Sequence, residues 1–135
     1  MSAVEIFPET EIDVRDALPD DAHAISAIYA WHVLHGRASF EEIPPTVDEM
    51  RQRMKSVTDS GLPWLVALYR GIVVGYCYAT FYRPRQAYLY TLEESIYVDA
   101  STTGRGFGSA LLQALTVSYT HLTLPTKRIV WGSGG

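Results

Sequence analysis

Residues 91–115 read TLEESIYVDASTTGRGFGSALLQAL, and the fold turns on how this stretch is divided. Its first eight residues, Thr91–Val98, suit a pleated strand, with an apolar half in Ile96, Tyr97 and Val98. After Asp99, Thr103-Gly104-Arg105-Gly106-Phe107-Gly108 places three glycines in six residues, and Ser109-Ala110-Leu111-Leu112 resumes at helical spacing. The order is strand, glycine turn, helix. Glycines let successive amides point inward and let a ligand approach the backbone closely. A helix N-terminus behind them adds about half a positive charge, which suits a pyrophosphate. Steric need alone also produces such turns, so the motif by itself leaves function open.

Working outward, the segments before Thr91 decide between a parallel and an antiparallel sheet. Trp64–Tyr69, Ile72–Tyr82 and Ala87–Val98 are rich in Val, Ile, Tyr, Trp and Leu, and Arg70-Gly71 and Arg83-Pro84-Arg85-Gln86 separate them as turns. Three strands with short connections predict an antiparallel meander, which disfavours a parallel dinucleotide-binding unit. Further upstream, Glu11–Ala17 alternates as a first strand with Ile12 and Val14 on one face. Pro19-Asp20-Asp21 starts a helix that carries Ala24, Ile25, Ile28, Tyr29 and His32 and fails near Gly36. Pro44-Pro45 forbids continuation, and Thr46-Val47-Asp48-Glu49 has the form of a capping box opening a second helix to about Thr58. The fold class is α+β (mixed α/β): strand, two helices, three-stranded meander, helix.

The totals fit one modest domain. The chain has 135 residues, 47% apolar and 19% charged, with a formal net charge of −4 and no long run of either sign. This argues against a nucleic-acid groove. No apolar stretch is long enough to span a bilayer, so the expected compartment is the cytoplasm, without membrane attachment. The single cysteine, Cys77, lies in an apolar run and reads as a buried thiol, with nothing nearby to stabilise a thiolate. His23, His32, His35 and His121 have no metal-ligand spacing, so no metal is expected, and His32 and His35 read as packing or surface residues.

Taken in order, several stretches resemble the GNAT family of acetyl-CoA-dependent N-acetyltransferases, and within it the branch acting on phosphinothricin or methionine sulfoximine. They are Ala27-Ile28-Tyr29, Ser39-Phe40-Glu41-Glu42, Pro44-Pro45-Thr46, Gly75-Tyr76-Cys77-Tyr78-Ala79, Arg83-Pro84-Arg85-Gln86-Ala87-Tyr88 and Thr91–Val98, followed by the glycine turn and Ala110-Leu111-Leu112. The resemblance covers roughly residues 11–116. Thr103 stands where the family usually has Gln or Arg, a mild departure because the grip there is mostly main chain.

The resemblance implies a chemistry. An aliphatic amine arrives protonated at neutral pH, so a base must act before it attacks a thioester. Glu93 matches the glutamate of the family's corresponding strand and is the candidate base; alternation puts Glu94 on the opposite face. Acetyl-CoA is the implied co-substrate. Thr103, Gly104, Arg105, Gly106, Phe107, Gly108 and Ser109 would hold its pyrophosphate, and the Tyr97-Val98 edge would pair with the pantetheine amides. A main-chain donor near Ile96 or Tyr97 would face the thioester oxygen. Phe40, Glu41, Arg83, Tyr88 and Tyr90 are the candidate lining of the site for a small amine, an arginine there being suited to a carboxylate. Ordinary packing accounts for each aromatic equally well, and a solvated turn for Arg83. A non-catalytic module binding a CoA ester, or an inert fragment that self-associates, are the alternatives.

The family pattern stops at about Thr116. Val117-Ser118-Tyr119-Thr120-His121-Leu122-Thr123-Leu124-Pro125-Thr126 is what one frame of a transposase-type sequencing adaptor would encode, and it is read as a non-native tail running to Val130. Trp131-Gly132-Ser133-Gly134-Gly135 reads as an added linker, and residues 1–10 as a loose leader. The acetyltransferase portion is thus expected to lack the C-terminal part of its fold. Lys127–Trp131 is strand-like and is expected alongside Ile96–Val98; failing that, the open edge would recruit a second chain, making a homodimer.

Overall fold

The computed structural model describes residues 12–36, 41–82, 91–102, 106–118 and 126–131. Five strands form one sheet in chain order: β1 (Ile12–Asp16), β2 (Trp64–Tyr69), β3 (Ile72–Tyr82), β4 (Thr91–Val98) and β5 (Thr126–Trp131). The first four pair antiparallel and β5 joins β4 in parallel. The helices are α1 (Ala22–Leu34), α2 (Val47–Asp59) and α3 (Phe107–Ser118), with 3-10 turns at Pro19–Asp21 and Ala100–Thr102. Among the described residues no helix is long and apolar enough to cross a membrane.

Local chemistry accounts for most of the boundaries. Thr46 Oγ1 accepts from the Glu49 N–H at 3.1 Å, and Glu49 Oε1 accepts from the Thr46 N–H at 2.8 Å. This reciprocal cap starts α2 as its spacing predicts. Pro19-Asp20-Asp21 forms a separate 3-10 turn ahead of α1 rather than its first turn. There Asp21 accepts from Arg15 at 2.7 and 3.1 Å and from the Leu18 N–H at 2.7 Å, tying the exit of β1 to the entry of α1. The β2–β3 hairpin closes on Arg70 and Gly71, both at positive φ (52° and 82°), the left-handed pair that two-residue hairpins need.

Two layers of helix sandwich the sheet. Trp64, Tyr76, Tyr78, Glu93 and Tyr97 face α1 and α2; Leu65, Cys77, Glu94 and Ile96 face α3. α3 lies directly against β3, and a Cβ placed on Gly75 would stand 3.1 Å from both Leu111 Cδ1 and the Tyr97 carbonyl oxygen. The glycine therefore sets the approach of helix to sheet. Phe107, Leu111 and Leu115 are buried at that contact, each contributing roughly 1.5–3 kcal/mol. Cys77 is wholly buried, as its apolar run predicts, and burial pushes its thiol up to about 12.

The last strand departs from expectation in register. Among the described residues its ladder runs from Thr91↔Thr126 to Ile96↔Trp131, beside the first six residues of β4. The described ladder fills the edge from Thr91 to Ile96 and, of the Ile96–Val98 stretch expected to pair, reaches Ile96.

Candidate functional site

On β4 the alternation settles which carboxylate faces which layer. Glu93 pairs across β3 with Thr80 and Ser95 with Tyr78, on the side of α1 and α2. Glu94 turns toward α3 and is 2% exposed. Beneath α1 and α2, on the Glu93 side, lies a cavity of ≈ 270 Å³. Tyr29, Arg53, Trp64, Tyr76, Tyr78 and Thr80 are among its walls. A larger groove of ≈ 500 Å³ runs beside α2, past Pro19, Arg51, Lys55 and Trp64; among the described residues neither lining includes a candidate site residue, and the smaller cavity shares the sheet face of Glu93.

The cavity is framed by stacked aromatics. Trp64 stacks on Tyr78 with centroids 4.1 Å apart, Tyr76 on Tyr97 at 5.4 Å, and Tyr29 meets Tyr97 edge-on at 5.2 Å. Burial pushes the Tyr97 phenol up to about 12 and raises those of Tyr76 and Tyr78, so these hydroxyls stay protonated as donors at neutral pH. Glu41 ties two of the lining residues together. Its carboxylate accepts from Arg53 at 2.7 and 3.3 Å and from the Tyr29 hydroxyl at 2.9 Å. The Arg53 hydrogen bonds hold the Glu41 carboxyl below its ordinary value, and burial together with Glu41 raises the Tyr29 phenol. Glu41 thus fastens the α1–α2 connection to both helices.

At the far end of β4, Asp99 turns the chain: its N–H donates to the Val74 carbonyl at 2.8 Å, and its carboxylate accepts from the Ser101 N–H at 2.9 Å. α3 then opens at Gly106, whose carbonyl accepts from the Ala110 N–H at 3.0 Å. Gly106 has φ +89°, and among the described residues nothing lies within 4 Å of where its Cβ would stand. This conformation favours glycine. The first N–H groups of α3, at Phe107, Gly108 and Ser109, have no acceptor within the helix by its geometry. The Phe107 ring itself is buried against Tyr69, so what Phe107 offers a ligand is main chain. Thr103, Gly104 and Arg105, and with them Phe40, Arg83, Tyr88 and Tyr90, lie outside the described residues.

The model of the acetyltransferase (GNAT) family matches residues 25–129. The chain belongs to the GNAT family. A phosphinothricin N-acetyltransferase from Alcaligenes faecalis is 54% identical over 102 residues, covering 76% of this chain and 52% of that protein. An L-methionine sulfoximine/L-methionine sulfone acetyltransferase from Salmonella typhimurium is 32% identical over 102 residues, covering 76% and 60%. The crystal structure of a GNAT phosphinothricin acetyltransferase from Sinorhizobium meliloti, solved with acetyl-CoA, superposes with a TM-score of 0.76 at 42% identity, covering 84% of this chain and 62% of that one. This GNAT chain spans about half the length of the curated relatives it matches.

Within the GNAT frame, the structure draws in residues that motif reading passed over. Arg53, Tyr76, Tyr78 and Thr80 line the cavity on the Glu93 face. The period-two run Tyr76-x-Tyr78-x-Thr80 is the signal that could have marked them, since it puts three polar tips on one face of one strand. Arg53 had no such signal, because its role depends on α2 crossing the sheet.

Proposed function

We propose that the protein from which this sequence derives transfers the acetyl group of acetyl-CoA to the amino group of a small amino-acid-like acceptor. The observation that carries this reading is the juxtaposition along β4: Glu93 on the same sheet face as the Tyr76, Tyr78 and Thr80 wall of an aromatic cavity, with the Tyr97-Val98 end of the strand and the Gly106 turn following it in the chain. Glu93 accepts the proton of the acceptor ammonium, directly or through water. The freed amine attacks the thioester carbon, the carbon–sulfur bond breaks, and the thiolate leaving on the coenzyme takes the second proton that the nitrogen gives up as it becomes an amide. A main-chain donor near Ile96 or Tyr97 supports the oxyanion. Val98, residues 103–109 and the start of α3 hold the coenzyme. Phe40, Arg83, Tyr88 and Tyr90 complete the acceptor side, and Glu41 acts there through Tyr29 and Arg53.

The present chain is, on this reading, the N-terminal portion of a cytoplasmic acetyltransferase, residues 11–116, followed by a non-native tail. A homodimer belongs to the same proposal, through the outer edge of β5. The test is thiol release from acetyl-CoA with a panel of amino acids, for this chain and for one extended with a relative's C-terminal half. Turnover by the extended chain is expected, and Glu93→Gln should lower it about 10²–10⁴-fold. An extended chain that releases no thiol with any acceptor defeats the reading in favour of a binding module or an inert fragment; coenzyme A titration then separates those two.

A further inference from the structure

His32 has no place in the chemistry above, yet it is wholly buried on α1, where an imidazole is costly unless hydrogen-bonded. Its Nε2 lies 3.0 Å from the Val98 carbonyl oxygen, 66 residues away in sequence. A carbonyl can only accept, so this nitrogen carries the proton and the tautomer is fixed by the contact. The direction of that carbonyl is also fixed. The Asp99 N–H bonds to Val74 on β3, so by antiparallel alternation the main-chain groups of Val98 point the other way, toward the β5 side. Among the described residues the β5 ladder ends at Ile96↔Trp131, two residues short of Val98. Val98 therefore presents its carbonyl on a stretch of strand edge that no described residue of β5 covers, and a side chain from α1 reaches it.

We infer that His32 is a stand-in donor: it satisfies the Val98 carbonyl while that edge is empty and yields it to an amide N–H of a bound pantetheine arm. The inference rests on the coenzyme A reading of the same edge. A buried acceptor left without a donor is penalised, so a strand edge built to receive a ligand amide needs a substitute in its absence. A helix side chain can supply one without closing the edge to a ligand, as a paired strand would. His32 is then a positioning residue that trades apo stability against affinity.

Thermal melting and calorimetric titration of the chain with coenzyme A, and with adenosine 3′,5′-bisphosphate as a probe lacking the pantetheine arm, test this. His32→Leu should melt lower than the parent without ligand, yet bind coenzyme A roughly three- to tenfold tighter, the worth of one exchanged hydrogen bond. The bisphosphate should bind both chains equally. His32→Gln, which keeps a donor, should fall back toward the parent in both readouts. In the parent, the slowly exchanging Nε2–H resonance of His32 should move on adding coenzyme A, a measurement that stands even if His32→Leu does not fold. Equal coenzyme A affinity in parent and Leu variant, or an unmoved resonance at saturation, overturns the inference while leaving the acetyltransfer reading intact. Failure of both probes to bind either chain overturns coenzyme binding by this chain, and the inference with it.

Discussion

The Arg15–Asp21 pair shows how single side chains set the pH range of this fold. The hydrogen bond from Arg15 holds the Asp21 carboxyl below its ordinary value, and the Leu18 N–H adds to the effect. A carboxylate whose folded pKa lies below its unfolded value of about 3.9 stabilises the fold above that pH and loses the contribution as pH falls through the folded pKa. Asp21→Asn should therefore cost about 1 kcal/mol at pH 7, the guanidinium being partly solvated, and the gap should close below about pH 4. Urea denaturation of both chains at a series of pH values measures it; a pH-independent gap would assign the loss to the cap alone. Some of this scale was legible beforehand. Alternation alone put Glu93 and Glu94 on opposite faces, and the structure gives Glu94 the buried one. The occupation of Glu41 by Tyr29 and Arg53 was not legible, because residues 12 apart meet only once α1 and α2 are docked.

Elements obey their local signals more closely than they announce their partners. The strands at Trp64–Tyr69 and Ile72–Tyr82, the hairpin at Arg70-Gly71 and the cap at Thr46 stand where spacing puts them, because each rests on contacts within a few residues. Thr46→Ala should cost about 1 kcal/mol, read from the denaturation midpoint with an unchanged slope. What spacing could not reveal is the close seat of α3 on β3. Nothing in the run Val74-Gly75-Tyr76 distinguishes a packing glycine from a bulge glycine, and only the 3.1 Å approaches of Leu111 and Tyr97 do so. Gly75→Ala should cost about 1–3 kcal/mol, because one of the two neighbours is a main-chain oxygen in a paired strand. The same denaturation series checks it, and a neutral outcome would mean that α3 slides freely. The register of β5 was equally hidden: its composition reads as a strand, but which half of β4 it covers depends on the path of the intervening chain.

At the scale of the molecule, β5 guards one side of the sheet. A chain ending at Ser118 should expose the Thr91–Ile96 edge and self-associate, giving larger species by light scattering than the full chain at equal concentration. The burial of Cys77 between sheet and α3 has a practical corollary. Its sulfur sits 3.7 Å from the Leu111 carbonyl oxygen, out of reach of any reagent while the helix stays seated. Maleimide capture of that lone thiol is then a clock for the lifting of α3, with no engineered label needed. Ligands that grip the start of this helix should slow the clock in proportion to how tightly they bind.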